Sequence, residues 1–89
     1  NMDILHPSFL RLVRAARALL GWSQQDLASQ SGVSLSTLNR LERGGGDPSV
    51  NSLRLIHKTF EQAGIRFITE SSGTIGVTLS KQVAEAGKL

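Results

Sequence analysis

The sequence contains no cysteine. That absence removes disulfides, thiol nucleophiles and thiolate metal sites together, and it fits a reducing cytosol. Tyrosine is also missing, Trp occurs once and Phe three times. The core must therefore be built mainly from Leu, Ile, Val and Ala. With only two histidines, no ligand set for a metal presents itself, and no cofactor is expected. No apolar run approaches the roughly 20 residues that span a bilayer, so no membrane partner is expected. No charged-then-apolar leader opens the sequence. Serines are plentiful, but no Gly-x-Ser-x-Gly and no plausible base accompany them. Gly44-Gly45-Gly46 is followed by no Gly-Lys-Ser/Thr and preceded by no strand, so it reads as a helix stop rather than a phosphate cradle. His57 and Glu61 stand four apart and read as a surface pair rather than a metal site. Catalysis would need groups that this chain does not have, and no enzymatic activity is expected.

What is present is one domain's worth of chain. Eighty-nine residues, 39% of them hydrophobic, suffice for a single modest core. Ten Lys and Arg against seven Asp and Glu give a net charge of +3. Seven of those ten cations are Arg, and five of the seven lie between Arg11 and Arg43. The planar guanidinium fork suits phosphate and guanine. A sequence pI of about 10.2 permits a nucleic-acid partner without requiring one.

The pattern predicts four helices. His6-Pro7-Ser8 opens the first, with Phe9, Leu12, Val13, Ala16 and Leu20 on one face and Gly21 as its stop. Ser23 caps a second, about Gln24 to Ser31, with Asp26 in a box-like relation and Leu27 and Ala28 inward. Gly32 ends it and Val33 bridges a short turn. Ser34 caps a third, about Leu35 to Glu42, with Leu38 and Leu41 inward. Asp47-Pro48-Ser49 starts a fourth, with Val50, Leu53, Ile56 and Phe60 inward and Gly64 closing it. The character then changes. Ile65 to Thr69 is β-rich, Ser71-Ser72-Gly73 signals a turn, and Ile75, Val77 and Leu79 alternate with small or polar residues. A lone hairpin is marginal in water, so this one must pack on the helices, on a second subunit, or on both. Residues 80–89 read as a polar tail.

The informative stretch runs from Ser23 to Arg43. Two short helices joined at Gly32 share a seam of Leu27, Ala28, Val33, Leu38 and Leu41, which sets a steep angle between them. With that inner face occupied, the second of these helices presents Leu35, Ser36, Asn39, Arg40 and Arg43 outward. Short side chains at its start let the backbone lie near base edges, and Arg40 reaches a guanine or a phosphate one turn on. Arg11 and Arg14, on the first helix, read as solvated.

The spacing S-Q-x-x-L-A-x-x-x-G-V-S-x-x-x-L-x-x-x-E-x-G, from Ser23 to Gly44, resembles the phage repressor/Cro-type (XRE) helix-turn-helix. The resemblance covers about Leu10 to Gly64. It implies a mainly α, lambda-repressor-like bundle of four helices, here with a C-terminal β-hairpin where many members continue into a fifth helix. It implies that Gln24 contacts a phosphate and braces the recognition helix. It further implies that Ser34, Leu35, Ser36, Thr37 and Arg40 approach bases or backbone, and that Arg43 and Asn51 hold phosphates. Leu35 replaces the Gln common in phage repressors and would meet a thymine methyl group instead. An ion pair between Arg17 and Glu42 is also implied, which assigns Arg17 to structure.

The expectation is a sequence-specific DNA-binding regulator, a repressor in the cytoplasm, reading an inverted repeat in double-stranded DNA as a homodimer. Residues 8–64 would form the DNA-binding domain and residues 65–79 the dimer contact, because the hairpin's apolar residues have little else to cover. Two alternatives remain open: an antitoxin that also binds a toxin protein, and a protein-interaction module that does not bind DNA.

Overall fold

A computed structural model describes residues 2–80. The element order is α1 (Phe9–Leu20), α2 (Gln24–Ser31), α3 (Leu35–Glu42), α4 (Val50–Gln62), β1 (Ile65–Thr69) and β2 (Ile75–Leu79). The chain is mainly helical, a helix-turn-helix bundle with a two-stranded antiparallel hairpin after it. Beyond Ser80, the expected polar tail lies outside the described residues.

Local chemistry explains the helix boundaries. Ser23, Ser34 and Ser49 have extended backbones, and each Oγ accepts the amide N–H three residues on. Such caps satisfy donors that a helix start otherwise leaves orphaned. Asp26 returns the favour to Ser23, accepting its N–H at 2.9 Å, so α2 starts with a full capping box. Gly32, at φ 79°, turns the chain out of α2 in a conformation that costs a side-chain-bearing residue dearly. α1 begins differently. Ser8 makes no side-chain cap, and Pro7 lies just outside the helix instead of in its first turn. His6 steadies this start instead: its Nδ1 accepts the Ser8 N–H at 3.0 Å, and its carbonyl accepts the Phe9 N–H, the first donor of the helix, at 3.0 Å.

The core is continuous. Phe9, Val13 and Ala16 of α1 meet Leu27 of α2, Val33 of the turn, Leu38 and Leu41 of α3, and Leu53, Ile56 and Phe60 of α4. Ala28, expected inward, is half-buried against this cluster. Val50 departs from its expected place and is 48% exposed. It begins α4 directly after the Gly44–Ser49 loop, whose three glycines supply no side chain to cover it.

The hairpin contributes to the same core. Ile65 and Phe67 are buried, and Phe67 stacks among Phe9 at 4.9 Å, Phe60 at 5.8 Å and His57 at 5.8 Å between ring centroids. The register pairs Ile65 with Leu79, Phe67 with Val77 and Thr69 with Ile75. Directly opposed residues share a sheet face, so Ile75, Val77 and Leu79 also face the helices, where they are half-buried. The premise that the hairpin's apolar residues have little else to cover therefore fails for Ile65 and Phe67. Burying a large aromatic is worth several kcal/mol, and the helices offered the nearest apolar surface. One residue ahead of the helices joins them. Met2 is buried, and its N–H donates to the Phe67 carbonyl at 3.2 Å, midway along the outer edge of β1.

Candidate nucleic-acid interface

α3 is held against the bundle by its apolar side and leaves the opposite side open. Leu38 and Leu41 are buried, whereas Leu35, Ser36, Asn39, Arg40 and Arg43 are exposed. These five residues sit one to four apart on a helix of eight residues and its C-cap, so they form one face. Thr37 is half-buried; its amide and hydroxyl both bond the Ser34 hydroxyl, at 3.1 and 2.8 Å. Ser34 and Thr37 thus fix the start of α3 while remaining at its rim. The leading half of the face is small and uncharged apart from Leu35, which is 42% exposed. Its trailing half carries the two arginines.

The orientation of α3 is fixed by a polar junction as well as by leucines. Arg17 of α1 donates from Nε to Glu42 Oε2 at 2.8 Å and from Nη2 to Oε1 at 2.7 Å. The side chains are 17% and 4% exposed, so the two-pronged pair is largely shielded from water and strong for its kind. Nη1 of Arg17 donates to the Trp22 carbonyl at 3.0 Å, tying in the chain between α1 and α2. Gln24 donates to Glu42 Oε1 at 3.2 Å and accepts from the Asn39 amide at 3.4 Å. Gln24 therefore links the first turn of α2 to the exposed face of α3. Arg14 reaches Glu42 only at 3.9 Å and is mostly exposed.

Asn51 is exposed in the first turn of α4. It is not on α3, but the start of α4 borders it: Thr37 and Arg40 line the same shallow hollow as Gly45, Gly46, Asp47, Pro48, Ser49 and Ser52. Asp47 places a carboxylate there, which argues against the hollow as a phosphate cradle. Asn51 does not line it. Sequence reasoning did not anticipate Ser31, a buried hydroxyl at the helix-turn-helix corner that accepts the Val33 N–H at 3.1 Å. Its Ser-Gly-Val context is the only sequence signal for that role. His57 and Glu61 approach to 3.3 Å, but the histidine ring also packs at 5.8 Å on each of Phe9 and Phe67 and is more enclosed than a surface pair. Among the described residues, no three His, Asp or Glu side chains gather as a metal site would require.

A helix-turn-helix family model matches residues 13–62, more than half of the chain. The chain belongs to the Cro/C1-type (XRE) helix-turn-helix family. Among curated proteins, none matches it. The match runs from Val13, inside α1, to the end of α4 and excludes the hairpin. This helix-turn-helix protein is therefore a DNA-binding transcription regulator, of a family that is regulatory rather than enzymatic. No helix of the described residues is long and apolar enough to cross a membrane.

Proposed function

We propose that this regulator reads DNA sequence-specifically through the outer face of α3 and represses transcription by occupying its operator as a homodimer. The observation that carries the reading is the division of α3 into a buried leucine side and an exposed side of Leu35, Ser36, Asn39, Arg40 and Arg43. A major groove about 12 Å wide admits such a helix. Ser36 and Leu35, short of reach and near the helix start, meet base edges closely, with Leu35 against a thymine methyl. Arg40 donates to guanine or phosphate. Ser34, Thr37, Arg43 and Asn51 flank this center and take sugar–phosphate contacts, and Gln24 serves both as brace and as phosphate donor. A twofold dimer then reads an inverted repeat whose half-sites lie roughly 34 Å apart, about one helical turn. The site of action is wherever the chromosomal DNA lies, the cytoplasm.

Duplex binding by the full chain and by Arg40→Ala and Ser36→Ala, at two salt concentrations, tests the proposal. Wild-type protein is expected to prefer one duplex over random DNA, and to bind less tightly at the higher salt. Each variant is expected to lose about 1–3 kcal/mol on the preferred duplex. A wild type with no salt-dependent preference for any duplex would make the domain a protein-interaction module instead.

A further inference from the structure

We propose that two copies of the chain join β2 to β2 antiparallel about a twofold axis through Val77, making one four-stranded sheet across the dimer. This rests on the dimeric reading above and specifies its contact. The argument begins with hydrogen-bond direction. Ser80 N–H donates to the Gly64 carbonyl at 2.8 Å, and Glu70 N–H to the Thr74 carbonyl at 2.9 Å. In an antiparallel pair, bonded and non-bonded positions alternate. Hence Arg66–Thr78 and Ile68–Gly76 are the bonded pairs of the hairpin, and the N–H and C=O groups of Ile75, Val77 and Leu79 point away from β1.

The two outer edges of the hairpin differ. At the middle of the β1 edge Met2 donates to the outward carbonyl of Phe67, and β1 carries the charge of Arg66. Along β2, the outward groups of Ile75, Val77 and Leu79 bond to nothing among the described residues. Exposed edges usually carry a charge, a proline or a bulge that discourages pairing. β2 reads Ile-Gly-Val-Thr-Leu and carries none of these.

A second copy suits this edge better than an unrelated strand because the edge is self-complementary. An axis at Val77 sets Ile75 opposite Leu79 of the other copy, and Val77 opposite its own equivalent. Every outward group of β2 is then matched, giving up to about six ladder hydrogen bonds. A shift of two residues in either direction leaves outward groups unmatched. No charged residue of β2 opposes another. Ile75, Val77 and Leu79, half-buried in one chain, gain cross-strand apolar neighbours on the helix-facing side of the sheet.

Amide hydrogen exchange by NMR on the full chain, at concentrations bracketing the dimer constant from sedimentation, tests the pairing. The amides of Ile75, Val77 and Leu79 are expected to exchange on the order of 100-fold more slowly in the dimer and to lose that protection on dilution. Val77→Pro removes an outward donor without removing a hairpin bond. It is expected to yield a monomer whose far-UV circular dichroism matches wild type. Should that variant unfold, the exchange pattern alone decides. A dimer whose β2 amides exchange freely would overturn this contact and leave the dimeric reading standing. A chain that stays monomeric with those amides free would overturn both. Protection in a monomer would mean that the chain covers its own edge, which overturns the pairing.

Discussion

Glu42 stands where three helices meet, and its carboxylate answers donors from Arg17 on α1 and Gln24 on α2. Shielding two charges from water is costly, and their attraction repays it only when geometry is good and the remaining hydrogen bonds are made. Both conditions hold here, and the payoff is orientation: the junction fixes the end of α3 beside the arginine-bearing half of its open face. Glu42→Ala would strand the Arg17 guanidinium in a site from which water is largely excluded. It is expected to lower unfolding stability by about 3–5 kcal/mol in urea denaturation. A loss below about 1 kcal/mol would show that the leucine seam alone sets the helix. The position of Glu42 in the family's spacing made its pairing with Arg17 expectable. The Gln24–Asn39 bond was not, because nothing in a spacing of fifteen residues signals which amide will turn toward which.

At the scale of elements, the helices were legible because their signals are local. Serine caps, a following apolar period of three to four and a terminal glycine are all set by residues within one turn of each other. The same reading placed Val50 inward because its period matched, yet period says nothing about whether a neighbour exists to cover a helix end. The hairpin was recognised as a hairpin, but its role was underestimated. Alternation identifies which strand residues share a face without saying what lies beneath them, and here Phe9, Phe60 and His57 lie beneath Phe67. Phe67→Ala is therefore expected to cost about 3–5 kcal/mol, and the midpoint of urea denaturation measures it. A chain cut after Gly64 loses both Ile65 and Phe67 from the core, and thermal melting is expected to show it markedly less stable than the full chain. A fragment melting like the whole would mean that the hairpin is an appendage. Met2, buried against β1, was invisible to sequence reading because no periodic segment contains it.

For the whole molecule, a modest net charge of +3 conceals an uneven distribution. Arg17 is neutralised by Glu42, while Arg40 and Arg43 are exposed on the open face and form no ion pair among the described residues, with Asp47 in the hollow that Arg40 lines. Phosphate contacts from such a surface release counterions, so the logarithm of affinity should fall linearly with the logarithm of salt concentration. Arg43→Ala is expected to flatten that slope by about one unit while leaving the base preference intact, as fluorescence anisotropy titrations would record. An altered preference would move Arg43 from the backbone to the bases. In the proposed function the outer face of α3 enters a major groove and reads it. Selection of bound sites from a random duplex library probes groove reading, symmetry and half-site spacing together. An enriched inverted repeat is expected, with half-site centers about 10 base pairs apart, and its consensus is expected to change when the selection is repeated with Arg40→Ala. Failure of the wild-type protein to enrich any sequence, or an unchanged consensus for Arg40→Ala and Ser36→Ala alike, would contradict groove reading by α3.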